Sequence, residues 1–198
     1  MVRRFALAIG LLAFAGAPAG AADTDLSQWA MNLPERFTLS GSKVEPTYVA
    51  AIDISRDGDV VSILGGAPAW AERSREAVAI DAGGAMRHVV CPNGMTCNSP
   101  PTPAGLLSTA ALISRSRAGT LHASIKAEPY GHFSVLCVPA EMLGISRPIL
   151  DPCFEVTTGA AIAQKNRFSN RFDGPSLDPV TLTFATDNAT KSPKEPAP

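Results

Sequence analysis

The side chains best suited to chemistry crowd into MRHVVCPNGMTC, where Met86, His88, Cys91, Met95 and Cys97 follow one another closely. Thioether, imidazole and thiolate together suit copper(I), a soft cation, and strand alternation would place Met86 and His88 on one face. That chemistry needs free thiols. The chain has four cysteines, the other two being Cys137 and Cys153, and in an exported protein four cysteines most simply form two disulfides. Three pairings are possible. Cys91 with Cys97 and Cys137 with Cys153 is favoured, because Pro92-Asn93-Gly94 turns tightly within the first pair and Pro148 and Pro152 stiffen the loop of the second. Each short loop would contribute roughly 2 to 3 kcal/mol by restricting the unfolded chain. Thiol exchange calls for Cys-x-x-Cys at a helix start, where the thiol pKa falls, and Cys-x5-Cys does not supply it. The bridges therefore read as structural, no cofactor is expected, and a copper carrier using Met86, His88 and Met95 is the metal alternative.

Other candidates are weaker. His122 and His132 stand alone, and they would meet only if the strands carrying them pair. Tyr130, His132 and Glu141 make a candidate binding surface. Glu128 and Glu141, near Tyr130 and Phe133, are the carboxylates a glycoside-cleaving acid–base pair would use, although any chain with 18 acidic residues offers such pairs. Asp53, Asp57 and Asp59 lack the alternating oxygens and later glutamate of a calcium loop. Ser40-Gly41-Ser42-Lys43 has the S-x-x-K form of serine acyl-enzymes but neither the long helix nor the K-T-G that accompany it, and G-x-S-x-G and H-E-x-x-H are absent from the sequence. No catalytic residue is assigned.

These residues need elements to position them. Asp23-Thr24-Asp25 offers caps for a short N-terminal helix carrying Leu26, Trp29, Ala30 and Leu33 at helical spacing, stopped by Pro34. Two β-rich runs flank Arg56-Asp57-Gly58-Asp59, and two more flank Asp81-Ala82-Gly83-Gly84, so two hairpins are expected. Between them, Pro68 to Glu76 reads as a brief helix or a structured loop. Thr102-Pro103 opens a central helix, about 103–118, closed by Arg115, Arg117 and Gly119. A strand over Ala110 to Ser114 competes with it, because Ile113-Ser114-Arg115 echoes Ile54-Ser55-Arg56. Further strands are expected at Leu121 to Ala127, joined through Glu128-Pro129-Tyr130-Gly131 to His132 to Val138, and at Phe154 to Thr158 and Val180 to Phe184.

Strands, one helix, then strands, without parallel βαβ alternation, predict an α+β domain. Its frame would be a mainly antiparallel sheet or a small partly open barrel, with the central helix, the short N-terminal helix and two disulfides. An oligonucleotide- and oligosaccharide-binding type of barrel is compatible in element order alone.

The chain starts with Met1-Val2-Arg3-Arg4 and an apolar run too short to span a bilayer, then Ala19-Gly20-Ala21. Residues 1–21 are thus expected to be a secretory signal, 22–186 a single domain and 187–198 a polar, disordered tail. Arg3-Arg4 abuts Phe5, which favours secretion of an unfolded chain over a twin-arginine route. Removing 21 of 198 residues leaves 177 and takes two arginines, so 15 basic side chains face 18 acidic ones. That length can bury roughly 70% of its unfolded surface. The charge attracts neither nucleic acid nor an anionic membrane, and no later apolar run is long enough for insertion.

The expectation is a periplasmic or secreted, disulfide-stabilised domain that binds a protein or envelope component without catalysing a reaction. A copper carrier and a small extracytoplasmic hydrolase are the alternatives. The loops Pro92 to Pro101 and Pro139 to Pro152 are the expected functional surface.

Overall fold

The computed structural model describes residues 23–44, 49–66, 74–92, 96–103, 105–146, 149–173 and 183–185. The expected signal, the expected tail, Trp70 and Met95 lie outside the described residues.

The chain opens with a short strand, β1 (Asp23–Asp25), and a helix, α1 (Leu26–Met31). Asp25 caps the helix as its sequence predicts, its carboxylate accepting the Gln28 N–H at 2.9 Å. Five strands follow as an antiparallel meander: β2 (Arg36–Val44), β3 (Val49–Asp57), β4 (Val60–Gly66), β5 (Ser74–Ile80) and β6 (Met86–Val90). Both expected hairpins are present. Gly58, at φ +59°, makes the first turn, and in the second the Asp81 carboxylate accepts the N–H groups of Gly83 and Ala85, both at 2.9 Å. From Ser74 the chain is strand, which corrects the helix-or-loop reading of its end at Glu76. Strand β2 carries the Ser40-Gly41-Ser42-Lys43 segment in its interior, so that segment opens no helix.

A 3-10 turn (Gly105–Leu107) leads into the central helix, α2 (Ser108–Arg117). The helix starts later than expected. Leu107, not Thr102, occupies the capping position of α2, and Gly105 takes φ +56° at the start of the 3-10 turn. The end is as predicted: Gly119 at φ +65° lets Thr120 N–H reach the Arg115 carbonyl and Gly119 N–H the Ser116 carbonyl, both at 3.0 Å. Ile113-Ser114-Arg115 is therefore helical whereas Ile54-Ser55-Arg56 is strand, and the echo marks no structural repeat.

Beyond α2 come β7 (Ser124–Lys126), β8 (Glu128–Tyr130), β9 (Phe133–Cys137), a 3-10 turn (Ala140–Leu143), β10 (Leu150–Glu155), β11 (Ala161–Asn166), β12 (Arg171–Asp173) and β13 (Thr183–Ala185). The expected strand at Leu121 to Ala127 is shorter and does not pair with β9. Gly131, at φ +59°, folds β8 back onto β9 and leaves β7 to pair with β1.

Three antiparallel sheets result. The six-stranded sheet runs β13-β2-β3-β4-β5-β6 and curls as half a barrel, the five-stranded sheet runs β12-β11-β10-β9-β8, and β1-β7 is separate. This is the α+β, mainly antiparallel class, although not a closed five-stranded barrel. Phe37, Leu39, Ile52 and Ile54 of the larger sheet pack on Val135, Cys153, Ile162 and Ala163 of the smaller. Helix α2 fills the rest of the space between the elements. Leu107, Ala110 and Ile113 meet Val61, Val78 and Ile80, while Ala111 and Leu112 meet Leu26, Leu136 and Phe154. Residues 108 to 114 are all buried, so α2 has no solvent face over its first two turns.

Both disulfides take the favoured pairing, Cys91–Cys97 and Cys137–Cys153. Cys137 and Cys153 are direct cross-strand partners on β9 and β10. No helix among the described residues is long and apolar enough to cross a membrane.

Candidate functional site

The site grows from the edge of the six-stranded sheet. Met86 and His88 share one face of β6, and Glu76, Val78 and Ile80 share one face of β5. The register shifts between Ala77 and Val78, so that Ala77 opposes Val90 and Val78 opposes His88, with Val89 as the extra residue. A bulge of this kind re-aims side chains. Here His88 Nε2 lies 3.0 Å from Glu76 Oε1, and Nδ1 lies 3.2 Å from the carbonyl oxygen of Ser99. The pair is largely shielded, with side-chain exposures of 13% for His88 and 22% for Glu76.

Beside the pair opens a cleft of about 360 Å³, walled by Cys91, Pro92 and Thr96 from the disulfide-bridged segment, by Ser99, Pro100 and Thr102 after it, and by Leu107 at the foot of α2. Its lining mixes apolar groups, Pro92, Pro100 and Leu107, with a few polar ones, Glu76, His88, Thr96, Ser99 and Thr102, as in a ligand pocket. Both imidazole nitrogens lie against acceptors, a carboxylate and a backbone carbonyl, rather than against the hydroxyls of Ser99, Thr96 or Thr102.

The sequence candidates are placed as follows. His88 is in the cleft, and its ring nitrogen and the sulfurs of Cys91 and Cys97 lie within 4.8 Å of one another. Met86 packs instead against the apolar cluster of Val78, Ile80 and Ile113, because its position on β6 lies over α2. Tyr130 packs at a tilt against Phe172, with ring centroids 4.9 Å apart, and His132 at a tilt against Phe133 at 4.1 Å. Glu141 sits past the far end of β9 and pairs with Arg167, which also makes a bidentate contact with Asp151 at 2.8 Å. The structure thus does not gather Tyr130, His132 and Glu141 at one end of β9. The condition for His122 and His132 to meet, pairing of the strands that carry them, is not met, because β7 pairs with β1. Glu128 is bound to Lys165 at 2.6 Å. With Glu141 held by Arg167, this pair of carboxylates is engaged by cations rather than poised across a substrate. Asp57 and Asp59 face Arg36 and Arg117, which is no setting for calcium.

Arg167 lowers the Glu141 carboxyl below its ordinary range, chiefly by hydrogen bonding, and Asp151 and Glu141 together hold the Arg167 proton more firmly than usual. Burial acts the other way on Arg56, whose guanidinium donates to the carbonyls of Pro34 at 2.9 Å and Gly58 at 3.1 Å.

Pro92, Thr96, Ser99 and Pro100 of the wall fall in the loop Pro92 to Pro101, an expected functional surface, whereas sequence reasoning missed Glu76. A signal existed: with Ile80 opposite Met86 across the second hairpin, Glu76 is a diagonal neighbour of His88 on the same face.

Fold and cleft together define a disulfide-braced α+β domain with two packed antiparallel sheets around a buried helix. Set against protein-family models, curated proteins and solved structures, the chain matches none of them.

Proposed function

We propose that this chain is a periplasmic or secreted domain that binds a protein or another envelope component and performs no reaction. The observation that carries this reading is the Glu76–His88 cleft beside β6, which has β5 as its single neighbour among the described residues. A strand with one neighbour presents backbone groups to which an extended segment can add, and the adjacent cleft would receive one of that segment's side chains. Val89, half exposed, supplies an apolar contact on the outward face. Export is supported by the apolar leader ending at Ala21 and by two disulfides, which persist in oxidising compartments. The alternative of a hydrolase is disfavoured by the ion pairs that occupy Glu128 and Glu141.

A photo-crosslinking side chain placed at Val89, and as a control at Met31, tests the reading in the living cell. Met31 is exposed but lies on α1, away from β6. A discrete adduct from position 89 alone, lost when His88→Ala is added, is expected. Equal adducts from both positions would count against it, as would turnover of extracellular glycans or esters abolished by Glu128→Ala or Glu141→Ala.

A further inference from the structure

Among the described residues, one group of histidine, cysteine and acidic side chains is close enough to share a metal ion, and it is His88 with Cys91 and Cys97. The geometry points to a redox-gated metal site in which opening the Cys91–Cys97 bridge frees two thiolates, beside the His88 imidazole, for a thiophilic d10 cation, copper(I) or zinc. The cleft is that of the proposed binding function, but this site needs no protein partner there, so either proposal can fail alone.

Three observations support it. His88 is held as metal-bound histidines are held, with one ring nitrogen, Nε2, against the Glu76 carboxylate at 3.0 Å. Such a carboxylate fixes the ring and strengthens it as a donor. The other nitrogen, Nδ1, would ligate by giving up its 3.2 Å contact with the Ser99 carbonyl. Second, the donor set of two sulfurs and one imidazole is the one copper(I) and zinc prefer. Third, the two bridges differ in access. Cys97 is exposed and Cys91 half-buried at the cleft rim, whereas Cys137 is half-buried and Cys153 fully buried in the sheet interface, so a reductant meets the first bridge more readily than the second.

The chemistry balances. A dithiol reductant attacks the Cys97 sulfur and then closes on itself, leaving its own disulfide and two thiols on the protein, so two electrons and two protons pass to Cys91 and Cys97. The cation then displaces one proton from each thiol and gains two metal–sulfur bonds and one bond to His88 nitrogen. With the bridge closed, no thiolate is available.

The test uses the mature protein, reduced with dithiothreitol, freed of it under nitrogen and titrated with zinc or copper(I) against a chromophoric chelator. Alkylation mapping locates the open cysteines. One equivalent should bind to the reduced form and none to the oxidised form, and the tighter of the two arms identifies the cation. Cobalt(II), used as a spectroscopic probe, should show thiolate charge-transfer absorption. Glu76→Gln should weaken binding by about 10- to 100-fold, and His88→Ala by at least as much. Binding that is unchanged in His88→Ala, or retained in a folded Cys91→Ser/Cys97→Ser variant, overturns the proposal. So does failure of both metals to bind, or a bridge that opens only with loss of the far-ultraviolet circular dichroism.

Discussion

Glu155 is 3% exposed, yet every part of its carboxylate is used. Oε1 accepts the Thr157 N–H at 2.9 Å, and Oε2 accepts the Thr158 N–H at 2.8 Å and the Thr158 hydroxyl at 2.7 Å. These three donors shape the β10–β11 turn, onto which α1 docks: Gly159, at φ +73°, lies against Leu33, and the Trp29 indole donates to the Val156 carbonyl at 2.7 Å. Glu155→Gln preserves the shape but turns one acceptor into an amino group. If the remaining oxygen keeps Thr158, the new donor faces the Thr157 N–H, donor against donor. One hydrogen bond to a charged group is lost, about 1.5–3 kcal/mol, and the surviving two become neutral. We expect a loss of about 2–4 kcal/mol. For a domain of this length 1 kcal/mol moves Tm by about 2–4 °C, so Tm should fall by roughly 5–15 °C, and further in Glu155→Ala. Thermal melts at pH 7, followed by near-ultraviolet circular dichroism, measure this. A Glu155→Gln protein melting within about a degree of the natural one refutes the assignment of the carboxylate as organiser of the turn.

The remaining predictions concern backbone, core and surface charge. Gly84 combines φ +87° with a site where an added Cβ would collide with the Ser114 carbonyl of α2, a backbone atom that cannot swing aside. Gly84→Ala should therefore cost about 2–6 kcal/mol in urea denaturation, against about 1–2 kcal/mol for Gly119→Ala, where φ is +65° but the space is open; equal losses would refute the collision. Ser108 is fully buried and its hydroxyl has no partner among the described residues, so Ser108→Ala should raise stability by about 1–2 kcal/mol, whereas a loss of that size would reveal a partner. The Glu141 carboxyl, held down by Arg167, contributes stability that is present above the ordinary glutamate pKa of about 4.3 and lost as pH falls through its lower folded value. Carboxyl titration by NMR should find Glu141 below that ordinary value, and Arg167→Gln should return it there.

How far the sequence carries depends on whether the deciding interaction is local. The Asp25 cap, the Gly58 and Asp81 turns, the Gly119 helix end and the two bridges were legible because a side chain or a glycine decides each within a few residues. Strand β2 was missed although Phe37 and Leu39 are buried and Thr38 is exposed between them, since Ser40-Gly41-Ser42 ends that alternation and has low strand propensity. A strand competed with helix α2 because Ile113-Ser114-Arg115 echoes Ile54-Ser55-Arg56, and a helix buried over residues 108 to 114 has no polar stripe there to outweigh the echo. The split between β7 and β8 turns on long-range pairing with β1, which no local pattern encodes. At the site, His88 was legible as a candidate. Its carboxylate partner emerges only once the β5–β6 register, Ile80 opposite Met86 and Val78 opposite His88, is laid out across the hairpin.

The two bridges do different physical work. In the chain-entropy model, a separation of 16 between Cys137 and Cys153 corresponds to about 3 kcal/mol, and one of 6 between Cys91 and Cys97 to about 2 kcal/mol. The first also lies where β9 and β10 are already in register and where the two sheets meet, so opening it would leave the Cys153 thiol in the core. The second closes the shorter loop at a sheet edge, and a domain with an ordinary stability of roughly 5–15 kcal/mol can lose its contribution and remain folded. What Cys91–Cys97 does uniquely is hold one wall of the cleft: Cys91, Pro92 and Thr96 all line it. Its position beside the Glu76–His88 pair therefore bears on what that cleft binds more than on whether the chain folds, which is the separation that both the partner and the metal proposals require.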